Sequence, residues 1–83
     1  MIIVSQDREH IVNFNNIKEI RINSYNSLMI DIYSDYKLQL GHYKTEERAK
    51  EVLQEIIKCY KDTNYEYENC WCLRNLVYEM PEE

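Results

Sequence analysis

The apolar positions of this chain change period once. Up to residue 42 they fall in short runs or alternate with polar residues. From Thr45 to Lys61 they recur at i, i+3, i+4, i+7, i+8 and i+11, as Ala49, Val52, Leu53, Ile56, Ile57 and Tyr60. That spacing is a single stripe at about 3.6 residues per turn, and it predicts one amphipathic helix over 45–61. Thr45 is a good N-cap, because its hydroxyl can accept from the first free N–H groups. Glu46 and Glu47 in the first turn, with Lys58 and Lys61 in the last, suit the helix dipole. Arg48 stands where a capping box would place a glutamate. Asp62-Thr63-Asn64 is expected to end the helix, without a glycine cap.

Before the helix the pattern predicts strands. Ile2-Ile3-Val4 opens a strand over 2–6, and the polar cluster Asp7 to His10 reads as a turn. Ile11 to Phe14 follows, then Asn15-Asn16, then Ile17 to Ile22 with Ile20 and Ile22 alternating against Glu19 and Arg21. The Asn pair is either a bulge inside one long strand or the break between two short ones, since Asn tolerates left-handed backbone angles. Leu28, Ile30 and Ile32 alternate with Met29, Asp31 and Tyr33. After a turn at Ser34-Asp35, Leu38, Leu40 and His42 alternate with Lys37, Gln39 and Gly41. Short connections make this an antiparallel meander, whose apolar face needs the helix as its cover.

After the helix, residues 71–78 predict a final strand that joins the edge of its own sheet or of a second copy. Pro81 and the terminal acids then stop the pairing. The fold class is therefore α+β: a single domain over 1–83, with an antiparallel sheet of four to five strands and one helix on one face. Met29, Asp31, Tyr33, Lys37 and Gln39 form the other sheet face, mixed enough to meet water or a second subunit.

Composition changes this picture in two ways. Eighty-three residues make a small domain, which buries only about 60% of the surface its unfolded chain exposes. Eight of the apolar residues are Tyr, whose hydroxyls need water or a partner. So thin a core favours a homodimer. One Gly and one Pro argue against disorder and against a glycine-rich phosphate loop. The short apolar start predicts neither a signal peptide nor a membrane span. The three cysteines, Cys59, Cys70 and Cys72, fit a reduced, cytoplasmic protein.

Charge is unevenly placed. Residues 1–61 hold nine acids and nine bases, so the net charge of -5 comes from the acidic segment 62–83, where Asp62, Glu66, Glu68, Glu79, Glu82 and Glu83 face Arg74 alone. Nucleic acid is an unfavourable partner for such a chain, because phosphate capture depends on clustered Lys and Arg.

Four segments, IIVSQD, IVNFNNI, LGHYKTEERAKEVLQEII and VYEMPEE, together resemble a family of short uncharacterised proteins encoded in prophages and mobile elements of Gram-positive bacteria. The resemblance covers roughly half the chain and carries no catalytic residue onto it. It implies a setting, the cytoplasm of a bacterial host, in which small acidic proteins often block host defence systems, as anti-CRISPR-type proteins do.

Candidate chemistry is sparse. Cys59, Cys70 and Cys72 with His10 or His42 lack the paired C-x2-4-C or H-x3-5-H spacing of a zinc site, and buried unreacted thiols are the better reading. A cysteine nucleophile would need a base within reach and an oxyanion stabiliser, and neither is suggested. Glu46-Glu47 suits the helix dipole and Glu82-Glu83 a solvated end, so neither forms an acid/base couple. No cofactor is expected.

The sharper candidate is the aromatic, acidic segment. Tyr65, Glu66, Tyr67, Glu68, Trp71, Arg74 and Tyr78 have the composition of protein-binding hot spots. The plainer alternative is that Tyr60 and Trp71 complete the core. A non-enzymatic protein that engages a bacterial host protein through this surface is thus expected. Two alternatives stand beside it: a sponge for a phosphate-bearing signalling nucleotide, held by Arg8, Arg21 and Arg74, and a small structural or assembly protein.

Overall fold

The computed structural model describes residues 1–69 and 77–83, with side chains for 1–61 and 77–83. The strands are β1 (Ile2–Val4), β2 (Ile11–Asn13), β3 (Glu19–Ile22), β4 (Met29–Tyr33), β5 (Lys37–His42) and β6 (Val77–Glu79), and the helix α1 spans Glu46–Asn69. The fold is α+β, as the pattern predicts. The single sheet of four to five strands is corrected to two sheets of three, ordered β2-β1-β6 and β3-β4-β5.

The division lies at the Asn pair. Asn13 accepts a hydrogen bond at Oδ1 from the N–H of Asn15 (3.0 Å), and Phe14–Asn16 form one 3₁₀ turn. An Asn side chain that takes over a backbone partner ends the ladder locally. β2 therefore stays with β1, antiparallel with Ile3 opposite Val12, and β3 begins a second sheet. In that sheet β3, β4 and β5 run antiparallel, with a bulge at Ile30/Asp31.

β6 pairs with β1 of its own chain, in parallel, with Ile3 opposite Tyr78. The predicted final strand over 71–78 is observed at Val77–Glu79, and its earlier residues lie outside the described ones. The opening strand is shorter than 2–6, because Ser5 turns the chain. Its hydroxyl donates to Asp7 Oδ1 (2.6 Å) and accepts from the N–H of His10 (3.1 Å).

Both sheets and the helix share one core: Ile3, Ile30, Ile32, Leu40, Tyr43, Ala49, Val52, Ile56 and Met80. The Thr45 cap is present, with Oγ1 accepting from the N–H of Arg48 (3.1 Å). The buried stripe is narrower than the spacing suggests, since Ile57 and Tyr60 remain 39% and 37% exposed. The helix also runs past Asp62-Thr63-Asn64 to Asn69. Those three residues cost only a few tenths of a kcal/mol each in helix propensity, too little to stop a helix where no Gly or Pro intervenes. Among the described residues no helix is long and apolar enough to cross a membrane.

Candidate functional site

The extension of α1 places Tyr65, Glu66, Tyr67 and Glu68 on the same continuous helix whose first turns build the core. Trp71 and Arg74 lie outside the described residues, as do Cys70 and Cys72. Tyr78 is the remaining member of the predicted surface, and it faces the helix. Its hydroxyl donates to Glu55 Oε1 (2.8 Å). Burial, and then the hydrogen bond to the Glu55 carboxylate, push its phenol well above the ordinary value. Its chain neighbours Val77 and Glu79 are exposed.

The last core contact of the helix in the described side chains is made at Tyr60. Its ring meets Phe14 of the 3₁₀ turn, centroids 5.0 Å apart at 42°. Tyr60, expected to complete the core, touches its margin through this ring contact and remains 37% exposed. The outward face of α1 carries Glu47, Lys50, Glu51, Gln54, Glu55 and Lys58 along a broad, shallow trough. Arg48 lies beside it, paired with Glu51 (3.1 Å) and Glu55 (3.3 Å).

Of the arginines of the nucleotide reading, the two described ones, Arg8 and Arg21, are engaged elsewhere. Arg8 sits in the β1–β2 turn with φ 64°, and its Nη1 donates to the carbonyls of Ser5 (2.9 Å) and Met80 (2.8 Å). Arg21 is in the other sheet. Its guanidinium lies 4.7 Å from the centre of the Tyr33 ring, Nη2 donates to the Tyr33 hydroxyl (3.2 Å), and Glu19 is 4.0 Å away. Among the described residues no three of His, Cys, Asp and Glu converge as metal ligands. His10 and His42 are both exposed.

Two features were not legible in the sequence. Asp31, expected on the solvent or subunit face, is fully buried. Its Oδ2 accepts from Asn23 Nδ2 (2.6 Å) and lies 3.6 Å from Lys37 Nζ, while Oδ1 has no partner among the described residues. Asn23 in turn accepts at Oδ1 from the N–H groups of Tyr25 (2.7 Å) and Asn26 (2.9 Å), so the buried carboxylate orients the cap of the β3–β4 turn. Alternation alone hides this, because a strand position does not reveal what covers it.

The second is a recess of about 210 Å³ beside β2, an edge strand among the described residues, lined by Ile11, Val12, Ile17, Ile32, Ser34 and Tyr36 among others. Ile11 and Tyr36 stand 71% and 69% exposed at its rim. Exposed Ile11 was the available signal, as an apolar residue at the start of a short strand.

No protein-family model matches the chain, and no curated protein or solved structure matches it.

Proposed function

We propose that this is a non-enzymatic protein-binding domain that acts in the cytoplasm of a bacterial host. There it engages a host protein through the acidic, Tyr-rich end of α1, as a candidate inhibitor of a host defence system. The observation that carries this reading is that α1 continues as one helix to Asn69, so that Tyr65, Glu66, Tyr67 and Glu68 lie on a regular element. The tyrosines and glutamates of this stretch, Tyr65, Glu66, Tyr67 and Glu68, fit by composition a partner that offers apolar and basic residues.

A second reading rests on the recess between Ile11 and Tyr36. Two exposed apolar side chains beside a strand that is at the sheet edge among the described residues fit a partner that adds an extended segment there.

One experiment separates them. The tagged chain is recovered from its bacterial host, and whatever stays bound is identified by mass spectrometry. The same is done with Tyr65→Ala/Tyr67→Ala and with Ile11→Ser/Tyr36→Ser, each checked for an unchanged circular dichroism spectrum. A single host protein in near-equal amount, lost with the tyrosine pair and at high salt, is the expected result. Loss with Ile11→Ser/Tyr36→Ser alone would move the surface to the recess. A bound nucleotide in place of a protein would overturn both.

A further inference from the structure

Residues 77–83 are held by the rest of the fold in the way a bound peptide is held. β6 adds to the edge of β1, and the N–H of Met80 extends the pairing by donating to the Val4 carbonyl (3.0 Å). Four successive carbonyls then each accept from a side chain of a different part of the chain. Met80 O accepts from Arg8 Nη1 (2.8 Å) and Pro81 O from the Tyr43 hydroxyl (2.8 Å). Glu82 O accepts from Gln6 Nε2 (2.9 Å) and Glu83 O from Arg48 Nε (2.9 Å). The Met80 side chain is fully buried in the core, whereas Glu79, Glu82 and Glu83 are exposed. Main-chain bonds along the segment and one deep apolar anchor are the terms of peptide recognition by strand addition.

All of these bonds have their partners in residues 1–55, and none joins one residue of the segment to another. Any copy of residues 77–83 can therefore make them equally well. The chain's own copy is favoured only by the effective concentration that its connection provides. That connection is short. α1 rises about 21 Å from Glu55 to Asn69, and Tyr78 is bonded back at Glu55. Eight Cα steps from Asn69 to Val77 reach at most about 28 Å when fully extended. The connection is therefore a short hinge, and short hinges invite exchange between copies.

We propose that the groove formed by the β1 edge, Arg8, Gln6, Tyr43 and Arg48 accepts residues 77–83 of a second copy, giving a strand-exchanged homodimer. The inference stands apart from the host-protein reading, since it uses neither the end of α1 nor the recess.

The test uses the full chain with Cys59→Ser, Cys70→Ser and Cys72→Ser. One population carries Val4→Cys and another Glu79→Cys, positions that face each other in the β1–β6 register. The two are refolded together and treated with a short bis-maleimide. Exchange predicts a covalent two-chain product joining positions 4 and 79, rising severalfold with chain concentration. A Gly-Ser insertion after Asn69 should reduce it severalfold by adding slack.

A third chain carrying both Val4→Cys and Glu79→Cys reports on the register itself. If it bridges within one chain, and the mixed populations give no two-chain product up to about 1 mM, the range of effective concentration for a short linker, the proposal is overturned. A dimer that forms without the 4–79 bridge overturns it as well. So does a double variant that bridges in neither arrangement, because the β1–β6 register would then be absent.

Discussion

The backbone N–H of Gln6 donates to the carbonyl of Leu40 at 2.8 Å, and Leu40 is the residue that the β4–β5 ladder skips. Ile30 pairs with Gly41 and Asp31 with Gln39, which leaves Leu40 without a partner in β4. The two sheets meet at this point. The Gln6 side chain then completes the junction as a strand residue would: Oε1 accepts from the N–H of His42 (2.7 Å) and Nε2 donates to its carbonyl (3.0 Å).

Gln6→Ala removes those two bonds and the one to Glu82. At about 0.5–1.5 kcal/mol for each hydrogen bond, and toward the low end where water can replace it, the expected loss is roughly 1–3 kcal/mol. Urea unfolding should show a lower midpoint with an unchanged slope. Gln6→Glu should cost at least as much, because its carboxylate would face the two carbonyls to which Nε2 now donates. A Gln6→Ala midpoint equal to that of the parent chain would mean that the sheets are joined by core packing alone.

Gly41 carries the second prediction. A Cβ built there would lie 2.8 Å from Cε2 and 2.9 Å from the hydroxyl of Tyr43. That ring is buried, and its hydroxyl is tied to Pro81 O. Gly41→Ala therefore forces an anchored aromatic side chain to move, at a cost of about 1–3 kcal/mol, as for other overpacked cores. Tyr43→Phe frees the anchor and removes one of the clashing atoms. In the Tyr43→Phe background the penalty of Gly41→Ala should be clearly smaller, a coupling that a double-mutant cycle measures. Equal penalties in both backgrounds would show that the strain lies in the backbone.

The helix and the strand-forming segments before it were legible in the sequence, because periodicity reports which side of an element is buried. Ala49, Val52 and Ile56 are buried as their spacing requires, and Thr45 caps the helix. Division into two sheets was not legible. It depends on one Asn13 side chain replacing a ladder partner, and on β6 returning from the far end of the chain to β1. The helix end was misplaced because Asp, Thr and Asn are only weak stops. Of the predicted binding residues, Tyr78 was read for its composition, whereas its position opposite Ile3 turns its hydroxyl to Glu55.

Asp31 and Asn23 form a relay whose energetics can be separated from its charge. Asp31→Ala strands the Asn23 amide and loosens the cap on Tyr25 and Asn26, and should cost about 2–3 kcal/mol through unsatisfied buried groups. Asn23→Ala should cost a similar amount, and the double variant much less than the sum, because both changes break the same chain of bonds. Lys37 is half exposed, so Lys37→Met should change stability by under about 1 kcal/mol. Thermal unfolding of the four variants decides this. An additive Asp31/Asn23 pair would show that the relay has no energetic unity.

Alkaline pH gives the last prediction, and its sign follows from burial. The Tyr43 phenol is pushed up to about 12, chiefly by burial, from an ordinary 10.0, and Tyr78 is raised as well, by burial and by its hydrogen bond to Glu55. In both, the folded state favours the protonated form. As pH rises past about 10 the unfolded chain releases these protons first, so the unfolded state gains free energy that the folded state does not. The contribution is complete below pH 10 and is lost progressively between about 10 and 12. The urea midpoint should accordingly not vary with pH through these phenols near neutrality and should fall across that window. Tyr43→Phe should be less stable at neutral pH, by about 1 kcal/mol for the lost bond to Pro81 O. It should also fall less steeply in alkali, so that the two curves approach each other toward pH 12. Parallel curves would place the Tyr43 hydroxyl in contact with water, and with it would go the anchor that holds Pro81.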